Sequence, residues 1–313
     1  MAGAGALVAL IVAYRRQKIA EADAVHDRTR VFNERFTATA AQLGHDQSAV
    51  RLAGVHAMAG LADDWKQNRQ TCVDVLCAYL RLPYDPDPGG DAAPAERTAY
   101  QANREVRHTI IRLIGAHLRP EAAVSWQDMS FDFNGVIFDG GDFRGAVFPS
   151  GSLAVFDGAE FSGGTVRFNR AKFSGGVVFF GGARFSGGTI RFDDAEFSGG
   201  TVSFRDIELS SGSIRFDGAR FSGGTINFTG ARFCGGEVSF SDGVVFSGGM
   251  VTFGGAVFSG GTVSFGGAVF SGGEVNFSGA ADWSNPPVFS WDGQPPTGVV
   301  LPVQPSGEHG GKL

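Results

Sequence analysis

From Phe133 to Phe277 the large apolar residues recur at steps that match neither common secondary-structure period. Phe133, Phe138, Phe143 and Phe148 stand five apart. From Phe161 the step alternates between seven and five, through Phe168, Phe173, Phe180, Phe185, Phe192, Phe197 and Phe204. The row continues as Leu209, Phe216, Phe221, Phe228, Phe233, Phe240, Phe246, Phe253, Phe258, Phe265, Phe270 and Phe277. A helix repeats about every 3.6 residues and a strand alternates residue by residue, so neither places this row on one side by itself. A small or apolar residue stands two positions before the phenylalanine, as in Ala171 before Phe173, Ala183 before Phe185, Val166 before Phe168 and Ile190 before Phe192. Two inward residues flanking an outward one make a short strand, and a turn must follow. The recurring Ser-Gly-Gly at 162–164, 174–176, 186–188 and 198–200 supplies such turns, because glycine accepts positive φ and close stacking.

No single unit can bury its phenylalanine alone, so the pattern predicts a stacked array with this ladder as its core. Five plus seven gives a 12-residue unit, and two units predict a 24-residue circuit. The expected coil is four-sided, with two regular sides and two carrying an extra two-residue turn; a flattened 12-residue coil is the competing closure. At about 4.8 Å per layer, seven 24-residue circuits make a rod on the order of 30 Å. Leu209 is an apolar exchange within the ladder, and the six-residue step from Phe240 to Phe246 predicts a shifted corner. After Phe277 the pattern fades through Trp283, Phe289 and Trp291, which with the proline-rich stretch 286–296 reads as a cap over exposed strand edges.

Upstream the pattern is helical. Between Gln17 and His45, Phe32, Phe36, Ala40 and Leu43 fall on one side at steps of four, four and three. Gly44 is a stop, and Asp46 or Ser48 caps a second helix with an apolar line through Val55, Met58, Ala59 and Leu61. A third helix over Asp64–Leu82 offers Trp65, Cys72, Val75, Leu76 and Tyr79 for burial. A last helix starts near Pro94 and carries Val106, Ile110, Leu113 and Ile114 on one stripe. The expected organisation is helical over 17–82, a Pro/Gly linker over 83–95, a helix over 96–120, a β-solenoid over 126–291 and a flexible tail over 292–313. The helices read as a small antiparallel domain able to cover one end of the stacked array.

The apolar run Gly3–Tyr14 precedes Arg15, Arg16 and Lys18. A spanning helix needs about 20 apolar residues, and this run is shorter. Its flanks do not fit a cleaved signal peptide. Residues 1–16 read as part of a membrane anchor, as a short anchor in a thinned bilayer, or as an apolar helix start packed in a soluble domain. An anchor here places the body on the cytoplasmic side, by the basic cluster that follows it; the alternative is a soluble cytoplasmic protein.

The stretches Ala171–Gly175 (AKFSG) and Phe133–Val147 (FNGVIFDGGDFRGAV) resemble the pentapeptide-repeat family. That resemblance covers about half of the chain and implies an all-β, right-handed quadrilateral β-helix preceded by an α-helical domain. Its two-residue insertions depart from the family pattern and put the regular square section in question. Gln42–Trp65 and Asn68–Arg81 are similar to the helical region of actinobacterial pentapeptide-repeat membrane proteins. Some members of the repeat family mimic DNA and protect topoisomerases, which requires a strongly negative rod.

Charge and chemistry change this picture little. The formal charge is −6, too mild to demand a cationic partner. From Asp128 to Asp292 there are 17 acidic and 10 basic residues, a small excess for a DNA mimic. Arg167, Arg170, Lys172, Arg184, Arg191, Arg205, Arg215, Arg220 and Arg232 offer a basic strip, but binding nucleic acid needs a focused positive field. Asp139 with Asp142, and Asp193 and Asp194 with Glu196, form acidic clusters whose ordinary role is a solvated face. Cys72, Cys77 and Cys234 make no close thiol cluster, and His108 and His117, nine apart, make no metal spacing. No phosphate-loop, calcium-roll or nucleophile-elbow motif occurs. No catalytic residue, metal or cofactor is assigned. The sequence reads as a non-enzymatic, membrane-associated scaffold for a protein partner of unknown identity. The alternatives are a DNA mimic, which predicts a continuous carboxylate face, and an enzyme, which predicts a cleft with several titratable groups near 120–126.

Overall fold

Strands of two or three residues persist only if paired on both edges, and this chain pairs them by coiling. The computed structural model describes residues 2–85, 87–291 and 293–303, with side chains from residue 11 onward. Residues 130–300 form a parallel β-solenoid of about seven turns, preceded by four α-helices. Thr189–Arg191 lies between Thr165–Arg167 and Ser213–Arg215, with Ile190 opposite both Val166 and Ile214. Each partner is 24 positions away, so the circuit closes at 24 residues and not at 12. Among the described residues the strands form three sheets of ten, seven and six strands.

The ladder stacks in four columns inside the coil. Phe156, Phe180, Phe204 and Phe228 succeed one another at ring-centroid distances of 4.7–4.9 Å. Phe143, Phe168 and Phe192 do the same at 4.9 and 5.1 Å, and Phe173, Phe197 and Phe221 at 4.8 and 4.7 Å. The fourth column runs through Phe161 and Phe185, 4.8 Å apart, then Leu209, then Phe233 and Phe258. All ladder residues are buried except the half-buried Phe270. Alternate columns around the circuit meet edge to face across the interior, as Phe180 does Phe192 at 88°, a favourable geometry for aromatic pairs, while successive columns meet tilted, as Phe192 does Phe197 at 55°. Phe156 belongs to the first column, although its eight-residue step from Phe148 leaves it outside the sequence ladder.

The corners explain the glycines. In the five-residue step the phenylalanine carbonyl accepts from the residue three on, as Phe168 does from Ala171 (3.0 Å), and the residue between them takes positive φ. In the seven-residue step the second glycine stacks on the layer below. A Cβ on Gly200 (φ +73°) would lie 2.1 Å from the Gly176 carbonyl oxygen. The extra residue before Phe246 widens its corner at Asp242 and Gly243, and the register moves to 25, with Phe221 opposite Phe246 and Val238 opposite Val263. The last layer is Phe277, Trp283, Phe289 and Trp291; Trp283 meets Phe258 at 5.2 Å and Trp291 meets Phe270 at 5.6 Å. The coil extends past 291, because Val299–Val300 pairs with Val275–Asn276 inside the stretch expected to be a tail. The rest of that expected tail, 304–313, lies outside the described residues.

The chain divides into two compact units, 1–72 and 73–313. In the first, α1 (Ala2–Leu43) continues through both the apolar run and the expected Gln17–His45 helix. It buries Phe32, Thr39 and Leu43 against α2 (Ser48–Asp64), where Gly54 lets the backbones close up: its added Cβ would lie 2.9 Å from Leu43 N. Trp65 ends α2, and a single 3₁₀ turn at Lys66–Asn68 delays α3 to Arg69–Arg81, later than the sequence suggested. The expected membrane-spanning anchor finds no support, since no helix among the described residues is long and apolar enough to cross a membrane.

Candidate functional site

The last helix, α4 (Pro94–His117), lies on the first coil of the solenoid. Its Gly115 comes so close that an added Cβ would sit 2.2 Å from the Asp142 carbonyl oxygen. Opposite it, Gly140 and Gly141 leave room for His108 and Ile111, whose atoms would lie 3.1 and 3.0 Å from added Cβ atoms. This corner, Phe138–Phe143, has a five-residue step where later coils have seven.

Asp139 sits at the centre of the contact and is buried. Tyr84 and Tyr100 donate their hydroxyls to Oδ2 at 2.7 and 2.8 Å, and Arg104 Nε donates to the same oxygen at 3.0 Å. His108 Nε2 donates to Oδ1 at 2.8 Å. Burial alone would raise the Asp139 pKa, but the hydrogen bonds from His108, Tyr84 and Tyr100 outweigh it and hold the carboxyl well below the usual range. Burial and the same carboxylate push both phenols up. Beneath them Arg107 donates to the Leu80 and Ile137 carbonyls at 2.7 and 2.8 Å and stacks 4.1 Å from the Tyr84 ring centroid. With four donors on one carboxylate, the cluster is a fastening of helix to coil. Tyr84, in the expected linker, is one of its anchors.

Beyond the end of α4 lies a cleft of about 670 Å³ lined by Arg119, Arg144, Arg167, Arg170, Lys172 and Arg191, with Glu121 and Asp194 as its carboxylates. Register brings these together: Asp142, Arg167, Arg191 and Arg215 occupy successive positions of one strand column. Like charges directly opposite destabilise paired strands unless neutralised. Arg191 is neutralised by Asp193, and Arg215 by Asp217 at 2.7 Å. Burial raises the Asp193 pKa, against the opposing pull of Arg191. Asp142 takes two bonds from Arg144, at 2.9 and 2.7 Å, and lies 3.7 Å from Arg119. Bonds from Arg144 hold its carboxyl below the usual range, against a smaller opposing effect of burial.

The structure divides the basic strip. Arg167, Arg170, Lys172 and Arg191 join the cleft, and Arg119 and Arg144, absent from the strip, complete it. Arg184 and Arg232 instead flank Glu208 on another sheet, and Arg220 follows Glu196, which pairs with Lys172 at 3.3 Å. The acidic clusters also separate: Asp139 is buried in the fastening, while Asp193 and Asp194 serve Arg191 and Arg170. His117 stacks on the buried Trp126 at 4.0 Å. Burial pushes the thiols of Cys72 and Cys77 up to about 11 and about 12, away from reactivity. Among the described residues no group of His, Cys, Asp and Glu side chains is placed to hold a metal ion.

The fold class is a parallel β-solenoid entered through a helix. No family model, curated protein or solved structure matches the chain.

Proposed function

We propose that this protein is a non-enzymatic interaction scaffold whose solenoid is a right-handed, four-sided β-helix of the pentapeptide-repeat kind. The observation that carries the functional reading is the division of labour in each coil. The phenylalanines, the most repetitive residues, face inward, and the variable charged residues stand outward at fixed strand spacing. Such a surface holds its charges in place with little ordering cost on binding. The four aromatic columns and the tilted meetings between them support the four-sided section.

The outward charges alternate along a column, from Glu160 to Arg184, Glu208 and Arg232. That alternation gives no support to DNA mimicry. The cleft near Pro120 has the position an enzyme site would take, but its cations are mainly guanidiniums, which stay protonated and do not shuttle protons.

Proximity labelling tests the scaffold. The full chain should return a reproducible set of neighbours, and a variant with Arg184, Glu208 and Arg232 replaced by serine should stay folded and return a different set. Identical neighbours for both proteins, or none for either, refute the reading.

A further inference from the structure

The coils provide an internal control for the charges they carry. In Arg191-Phe192-Asp193 and Arg215-Phe216-Asp217, the aspartate two residues on neutralises the arginine. In the equivalent triplet one coil earlier, Arg167-Phe168-Asn169, asparagine replaces the aspartate. Asn169 donates its amide to Asp193 at 2.9 Å, and its Oδ1 is buried without a partner. The Arg167 guanidinium has no acidic partner among the described residues. One coil below, Asp142 is already engaged by Arg144 and Arg119. Three guanidiniums at this corner therefore share the Asp142 carboxylate, and with Glu121 as the other unpaired acid of the lining the cleft keeps a positive excess.

We propose that this corner binds a phosphate monoester, with Arg167 as the principal ligand and Arg119 and Arg144 completing its charge balance. Guanidinium forks match phosphate oxygens in pairs, and a phosphate monoester carries about −1.5 to −2 near neutral pH, which suits the local excess. Glu121 and Asp194 also line the cleft, and their charges disfavour a long polyanion relative to a compact dianion. The group is carried by a partner protein or by a small molecule. The first source rests on the scaffold reading; the site itself does not.

Titration calorimetry of the full chain in chloride buffer tests this, with inorganic phosphate, a phosphoserine peptide and its unphosphorylated twin as probes. Phosphate and the phosphopeptide should bind the wild type and Arg232→Ala, which lies outside the cleft. Arg167→Ala should weaken binding at least about tenfold, equal to about 1.4 kcal/mol. Asn169→Asp should do the same while leaving every arginine in place, because it restores the counter-ion of the later coils. The stacked Asp193 and Asp217 indicate that the column accepts adjacent carboxylates, and circular dichroism with thermal melting verifies the fold of each variant. Tighter binding of the phosphopeptide than of phosphate supports a partner-borne group, and equal binding supports a small-molecule source. No binding by the wild type, unchanged affinity in Asn169→Asp, or equal binding of the unphosphorylated peptide overturns the proposal. Phosphate binding without reproducible labelled neighbours removes the scaffold reading alone.

Discussion

The first coil and the coils above it share the same aromatic interior but are closed by different means. A middle coil is closed by copies of itself: Phe197 lies between Phe173 and Phe221, and Gly200 lies on Gly176. The first coil has no copy beneath it. It is closed by α4, through Gly115 on the Asp142 backbone and four different donors on Asp139. A repeat supplies identical neighbours everywhere except at its end, so the end needs specific polar contacts where the middle needs only repetition.

The strongest way to break the middle is Phe197→Asp. It places an unpartnered charge among stacked rings and should cost at least about 4 kcal/mol, read as a fall in urea midpoint. An unchanged midpoint would refute the inward ladder.

The corresponding break at the first coil is Asp139→Ala, which strips the partner from two phenols, Arg104 and His108. It should cost about 3 kcal/mol and increase amide exchange first in Pro94–His117. The wild-type contribution also has a pH signature. Because the folded pKa of Asp139 is depressed, its stabilisation is fully present above the unfolded value of about 3.9. It is lost as pH falls below that value toward the folded one. Stability of Asp139→Ala should therefore depend less on pH than that of the wild type in acid, and parallel acid-denaturation curves would contradict the assignment.

Gly200→Ala and Gly135→Ala sharpen the comparison, since both glycines have similar positive φ, +73° and +65°. Gly135 faces open space, whereas a Cβ at Gly200 meets the layer below. The cost should be about 1 kcal/mol at Gly135, from backbone strain alone, and at least about 2 kcal/mol at Gly200. Equal melting shifts would mean that stacking does not dictate the glycine. The smallest expected effect is that of Glu208→Lys, which puts three cations in a row with Arg184 and Arg232. It should cost about 0.5 kcal/mol, and added salt should reduce the difference.

Much of the solenoid was legible because its signal is local and repeated. The steps of five and seven mark inward positions, and Ser-Gly-Gly marks corners whose second glycine, as at Gly200 and Gly224, has positive φ and lies against the layer below. Phe156 escaped because the loop before it lengthens its step to eight. The Asp139 cluster was not legible: its donors lie 31 to 55 residues away, on a helix and in a stretch that reads as linker. The cleft was half legible. Its strand arginines belong to the visible basic strip, but Arg119 and Arg144 come from other elements. The meaning of Asn169 emerges only when the triplets are aligned on the 24-residue register.

By itself, then, the sequence determined that the phenylalanines face inward along a stacked array, because no other arrangement of that spacing removes them from water. The tertiary structure decided which coil lies on which, and through that which outward charges become neighbours. Burial is a property each residue carries with it, whereas pairing between charges depends on distance. Residues 24 positions apart acquire a distance only when the circuit closes.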